Sequence, residues 1–103
     1  MPEERKYKDV GARLKQIRQA KYPNMSISDF AAMIGVGYNR YINWETGVSR
    51  PLPEQSVELC DKLGLTMDFI YRGVEAALPQ NTLKELAERS RLSDQSKSKG
   101  KPD

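Results

Sequence analysis

The chain is 103 residues long, 38% apolar and 30% charged, with a net charge of +3, one cysteine and no histidine. That length suits a single domain with a modest core and leaves no room for a deep substrate cleft beside it. One cysteine cannot close an internal disulfide, cysteine without histidine cannot build a standard zinc site, and the commonest general base is missing, so a cytoplasmic protein with no cofactor and no metal is expected. The opening residues Met1, Pro2, Glu3, Glu4, Arg5 and Lys6 precede no apolar run, which argues against a secretory signal. No stretch approaches the roughly eighteen apolar residues that a membrane-spanning helix needs.

Charge is uneven along the chain. Residues 1–24 hold seven Lys/Arg against three Asp/Glu, residues 25–74 four against six, and residues 75–103 six against five, or +4, −2 and +1. A basic N-terminal quarter fits a solvated first helix and also a nucleic-acid footprint, because phosphate contact needs local rather than total positive charge.

Residues 1–8 read as an N-terminal arm. The spacing predicts a first helix over 9–21, where Val10, Leu14, Ile17 and the stem of Lys21 recur on one face. Tyr22, Pro23 and Asn24 interrupt it, since proline cannot continue a helix interior. A second helix is predicted over 27–34, with Ser26 as N-cap, Asp29 near the positive helix start, and Phe30, Ala31 and Ile34 facing inward. Gly35 can turn the chain through left-handed backbone, Val36 can plug the turn, and Gly37 can cap a third helix over 38–45. There Tyr41 and Trp44 face inward, while Tyr38, Asn39, Ile42 and Asn43 face out. A short helix presenting its first turn and one outer face has the geometry that enters a DNA major groove.

A fourth helix is predicted over 53–63, with Pro53 in its first turn and Leu59, Cys60 and Leu63 on one face. A fifth follows over 67–71, capped by Thr66, with Phe69 and Ile70 inside and Gly73 at its end. These elements make up a domain over residues 9–74. Residues 75–92 hold a candidate sixth helix over 81–91, with a narrow stripe of Leu83, Leu86 and Ala87. A dimerisation helix, an arm packed on the domain and a partly folded tail are all open for it. Residues 93–103 contain no apolar side chain and read as a disordered tail. No strand alternation occurs, so the fold class is all-α.

The run over residues 26–47 resembles the lambda-repressor and Cro-like helix-turn-helix family, also called the XRE family. Ser26, Phe30-Ala31, Ile34-Gly35-Val36 and above all Trp44-Glu45-Thr46-Gly47 carry the resemblance. Ser49-Arg50-Pro51-Leu52-Pro53 resembles the loop that follows, Leu63-Gly64-Leu65-Thr66-Met67-Asp68-Phe69-Ile70 the closing helix, and residues 11–18 the first helix. The similarity spans residues 10–73. It implies a five-helix DNA-binding domain, with the sixth helix as an addition.

The resemblance also implies roles. Arg18 and Glu45 match a structural ion pair tying the first helix to the end of the third. Tyr38, Asn39, Arg40 and Asn43 match base-contacting positions, with asparagine able to bond adenine N6 and N7 together. Ser26, Ser28, Ser49 and Arg50 match phosphate contacts, and the loop over residues 48–52 is expected to donate backbone N–H groups. Departures stand beside these matches. Ile27 replaces a bracing glutamine, and covers either the core or a partner. Ile42 replaces a small polar residue, and either meets thymine methyls or packs inward. Ser56 stands where an apolar residue is usual, and Cys60 where a small core residue is.

The function implied is a transcriptional regulator, a repressor that binds a palindromic operator in double-stranded DNA as a homodimer. The rival is an antitoxin or other protein-interaction module of the same fold, with residues after Gly73 docking a protein partner. An enzyme is not expected, for the chain has no nucleophile elbow, phosphate loop or metal cluster.

Overall fold

The computed structural model describes residues 6–100, with side chains for residues 6–92, and these form six α-helices. They are α1 (Lys8–Lys21), α2 (Ile27–Ile34), α3 (Tyr38–Glu45), α4 (Pro53–Leu63), α5 (Met67–Arg72) and α6 (Gln80–Gly100). Residues 1–5 of the expected arm and 101–103 of the expected tail lie outside the described residues.

The helix ends follow local chemistry. Asp9 lies in the first turn of α1 and Arg18 and Lys21 in its last, each complementing the helix dipole. The Ser26 hydroxyl accepts the Asp29 N–H at 3.0 Å, and the Thr66 hydroxyl accepts that of Phe69 at 3.0 Å. At the start of α4 the Leu52 N–H donates to the side-chain oxygen of Gln55 at 2.9 Å, and Pro53 occupies the first turn, where its missing N–H costs nothing.

Helix α1 is the spine. It packs against α3, α5 and α6, while α2 packs on α3 and α4 on α5. Val10, Leu14 and Ile17 of α1 meet Phe30, Ala31 and Ile34 of α2, Tyr41 and Trp44 of α3, and Leu59, Leu63, Phe69 and Ile70 of the later helices in one buried cluster. Four aromatic rings run through it in series. Tyr22–Phe30, Phe30–Tyr41 and Tyr41–Trp44 have centroids 5.9, 5.3 and 6.1 Å apart in tilted or edge arrangements, which suit the ring quadrupoles. Val36 packs half-buried against this cluster, as does Cys60.

Two glycines let α1 reach α3 at backbone distance. A Cβ on Gly11 would stand 2.4 Å from the Glu45 carbonyl oxygen and 2.5 Å from that of Trp44. A Cβ on Gly47 would stand 2.7 Å from the Lys8 Cα, and its φ of +85° is left-handed besides.

Polar groups inside this core are bonded. Ser56 is fully buried; Tyr71 donates to the Pro51 carbonyl at 2.8 Å and accepts from Ser56 at 2.6 Å. The serine thus replaces an apolar side chain because α5 supplies its partner. Thr82 of α6 is also buried and donates to the Gly64 carbonyl at 2.7 Å.

Helix α6 lies on α1 rather than standing away from it. Leu83 and Leu86 pack half-buried on the core, Lys21 pairs with Glu85 at 2.5 Å, and Arg89 donates to the Gln19 side chain. Ala87, expected on the inner stripe, is exposed, because the face that docks is set by Thr82, Leu83 and Leu86. The helical backbone continues past residue 91 to Gly100, since no glycine or proline interrupts it earlier.

Gly11→Ala should lower stability by about 1–3 kcal/mol, the usual cost of forcing a methyl into a packed site. A urea midpoint shifted down at unchanged slope is the expected reading; an unshifted midpoint would contradict the close approach of α1 to α3.

Candidate nucleic-acid interface

The site is built on α2, the turn and α3. Ser26 starts α2, and Gly35 ends it at φ +78° with the Gly35 and Val36 N–H groups bonded to Ala32 and Ala31. Gly37 then caps α3 in extended backbone, so α3 departs at once in a new direction. The Lys62 ammonium donates to the Ile34 carbonyl at 3.0 Å, bracing the end of α2 from α4.

Helix α3 divides sharply. Tyr41 and Trp44 are buried. Tyr38, Asn39, Arg40 and Asn43 are all exposed, Tyr38 by 52% of its surface. Ile42 is half-buried.

The roll of α3 is set by a charge pair. Arg18 of α1 donates through Nε to Glu45 Oε2 at 2.7 Å and through Nη2 to Oε1 at 3.1 Å, a two-pronged contact that fixes angle as well as distance. The Tyr41 hydroxyl, one turn earlier on α3, donates to the same Oε2. Arg18 and Glu45 side chains are only 11% and 7% exposed. The bond to Glu45 raises the Arg18 pKa and keeps the guanidinium charged. Burial, then the bond to the Glu45 carboxylate, pushes the Tyr41 phenol well above its ordinary value.

The phosphate candidates fall in two places. Ser26 and Ser28 are exposed at the start of α2, where helix N–H groups favour an anion. Ile27 between them packs against the core, so it covers the interior where the resemblance has a bracing glutamine. Ser49 and Arg50 lie in the loop after α3, Ser49 half-buried and Arg50 exposed.

For three N–H groups of this loop, the expectation of donation to phosphate is corrected by the structure. Val48 and Ser49 N–H both donate to the Asn43 carbonyl, at 2.9 and 3.1 Å, and the Leu52 N–H is taken by Gln55. The first two bonds satisfy the Asn43 carbonyl at the end of α3, which leaves anion contact in the loop to side chains and the Arg50 N–H. One further neighbour has no signal in the sequence. The Arg50 guanidinium lies over the Tyr7 ring, 4.9 Å from its centroid.

Comparison with protein families supplies the assignment. A helix-turn-helix family model matches residues 14–70, over half the chain. The chain belongs to the helix-turn-helix family of the lambda-repressor and Cro-like (XRE) type. It is therefore a DNA-binding helix-turn-helix regulator. Comparison with curated proteins and with solved structures returned no match. Among the described residues no helix is long and apolar enough to cross a membrane, and no group of three His, Cys, Asp or Glu is placed to hold a metal ion.

In this helix-turn-helix chain, Arg18→Met should cost about 3 kcal/mol, because the Glu45 charge is left buried without its partner. Arg18→Met with Glu45→Met should recover part of that loss. Chemical denaturation of the four-member cycle measures it, and additive losses would contradict a direct pair.

Tyr41 adds a pH dependence. The folded phenol holds its proton above the unfolded value of about 10, so above that pH the folded state binds more protons. Its contribution is complete below about pH 10 and falls as pH rises further. Stability measured from pH 8 to 11 should decline more steeply in the wild type than in Tyr41→Phe; parallel curves would contradict this.

Proposed function

We propose that the chain is a sequence-specific transcriptional repressor that binds a palindromic operator as a dimer, with α3 in the major groove. The exposed face of α3 carries this reading. Its core side is consumed by Tyr41 and Trp44, and its outer side presents Tyr38, Asn39, Arg40 and Asn43 from a helix locked in roll by Arg18.

The chemistry of that face suits base edges. Each asparagine amide can donate to adenine N7 and accept from adenine N6, as a pair of bonds no other base matches. Arg40 can bond a guanine edge or a phosphate, and Tyr38 can lay its ring on a thymine methyl or a sugar. Ser26, Ser28, Ser49 and Arg50 would meet phosphates on either side and set the register. One short helix reads too few base pairs for useful specificity, which is the reason for assigning a dimer on two half-sites. A bound dimer covers the duplex it reads and excludes other proteins from it, so repression is the effect assigned.

Asn39→Ala and Asn43→Ala should each weaken specific binding by about 1–3 kcal/mol while leaving the fold intact, since both side chains are exposed. Anisotropy titration on the bound site, with thermal melts of each variant, tests this. Unchanged specific affinity in both variants would sink the assignment.

A further inference from the structure

We propose that Tyr7 is a positioning residue for DNA contact: its ring holds the Arg50 guanidinium beside the C-terminal end of α3, ready for a backbone phosphate of the duplex. The inference rests on the DNA-reading function proposed above and adds to it a residue outside the helix-turn-helix.

The geometry links Tyr7 to the reading helix by short steps. The Tyr7 N–H donates to the Gly47 carbonyl at 3.1 Å, and the Tyr7 carbonyl accepts the Gly11 N–H at 3.0 Å in the first turn of α1. Its side chain is half-buried against the core. The ring is thus held from both ends of the residue and by packing. The loop carrying Arg50 is fixed independently, through the Val48 and Ser49 N–H bonds to the Asn43 carbonyl, and Asn43 lies on the exposed face of α3. Arg50 and the base-facing side chains therefore share one rigid frame.

The state of Arg50 suits an anion. Among the described residues no carboxylate pairs with it and no hydrogen bond engages its side chain. The Glu45 carboxylate is occupied by Arg18 and Tyr41. A ring face attracts the guanidinium charge but uses none of its five N–H donors, so the planar fork stays available for two phosphate oxygens. A free arginine loses much rotamer freedom on binding; one already held on a ring loses less. Lys6 and Lys8, exposed on either side of Tyr7, add positive charge at the same edge.

The test compares Tyr7→Phe with Tyr7→Leu. Phenylalanine keeps the ring; leucine keeps apolar packing without a π face. The probe is a mixed-sequence duplex, because phosphate contact is independent of sequence, titrated by anisotropy over a series of salt concentrations. Tyr7→Phe should bind as the wild type does. Tyr7→Leu should bind about two- to fivefold more weakly, within the cost of ordering one long side chain on binding. Arg50→Ala should lower the salt slope by about one, and adding Tyr7→Leu to it should cause no further loss. Equal binding by the Phe and Leu variants, or an equal Leu loss with Arg50 absent, overturns the role of Tyr7 and leaves the DNA reading standing. A wild-type chain that binds no duplex at any salt overturns both.

Discussion

The contact between Arg18 and Glu45 is the constraint on which the reading surface depends. A carboxylate this buried is tolerable only if its charge is balanced and its lone pairs are used. Glu45 meets both conditions with two bonds from Arg18 and one from Tyr41. The pairing is planar and two-pronged, so it resists rotation of α3 about its own axis as well as translation. Rotation would bury Asn39 and Asn43 or expose Trp44, and either would destroy the division of the helix into an inner and an outer side.

The glycines make that contact reachable. Gly11 and Gly47 bring the start of α1 against the end of α3 at a separation that any side chain would prevent. Tyr7 follows from the same approach, since its N–H meets the Gly47 carbonyl and its ring then lies beneath Arg50. One close crossing of two helices thus sets the roll of α3 and the place of the Arg50 guanidinium. Polar bonds elsewhere serve the same frame: Lys62 braces the end of α2, and Ser56 with Tyr71 ties the start of α4 to α5.

Much of this was legible in the sequence wherever the signal is local. Ser26, Gly35, Gly37 and Thr66 mark helix ends by their own backbone chemistry, and Phe30, Ile34, Tyr41 and Trp44 mark inner faces by helical spacing. The outer face of α3 was readable from spacing, but the ion pair and the base-contacting roles came from family resemblance, because a charge pattern alone does not name its partner. Contacts between distant residues had no such signal. Tyr7 beneath Arg50, Thr82 on the Gly64 carbonyl and Arg89 on Gln19 depend on how whole helices dock. The loop after α3 misled in part for a related reason, since its Val48 and Ser49 N–H groups turn back to the Asn43 carbonyl. Ile27 resolved cleanly, as it packs on the core.

What the frame presents is a small polar surface: two asparagines, a tyrosine and an arginine on α3, with serines at the start of α2 and Arg50 beyond the far end of α3. Such a surface has value only if it discriminates among sequences. The most direct measurement is selection of bound duplexes from a random pool by the wild-type chain at near-physiological salt. The expected result is enrichment of two short inverted half-sites, their centres about one helical turn, or roughly 10 base pairs, apart. Retention of DNA with no enriched sequence would contradict the claim that the exposed face of α3 reads bases.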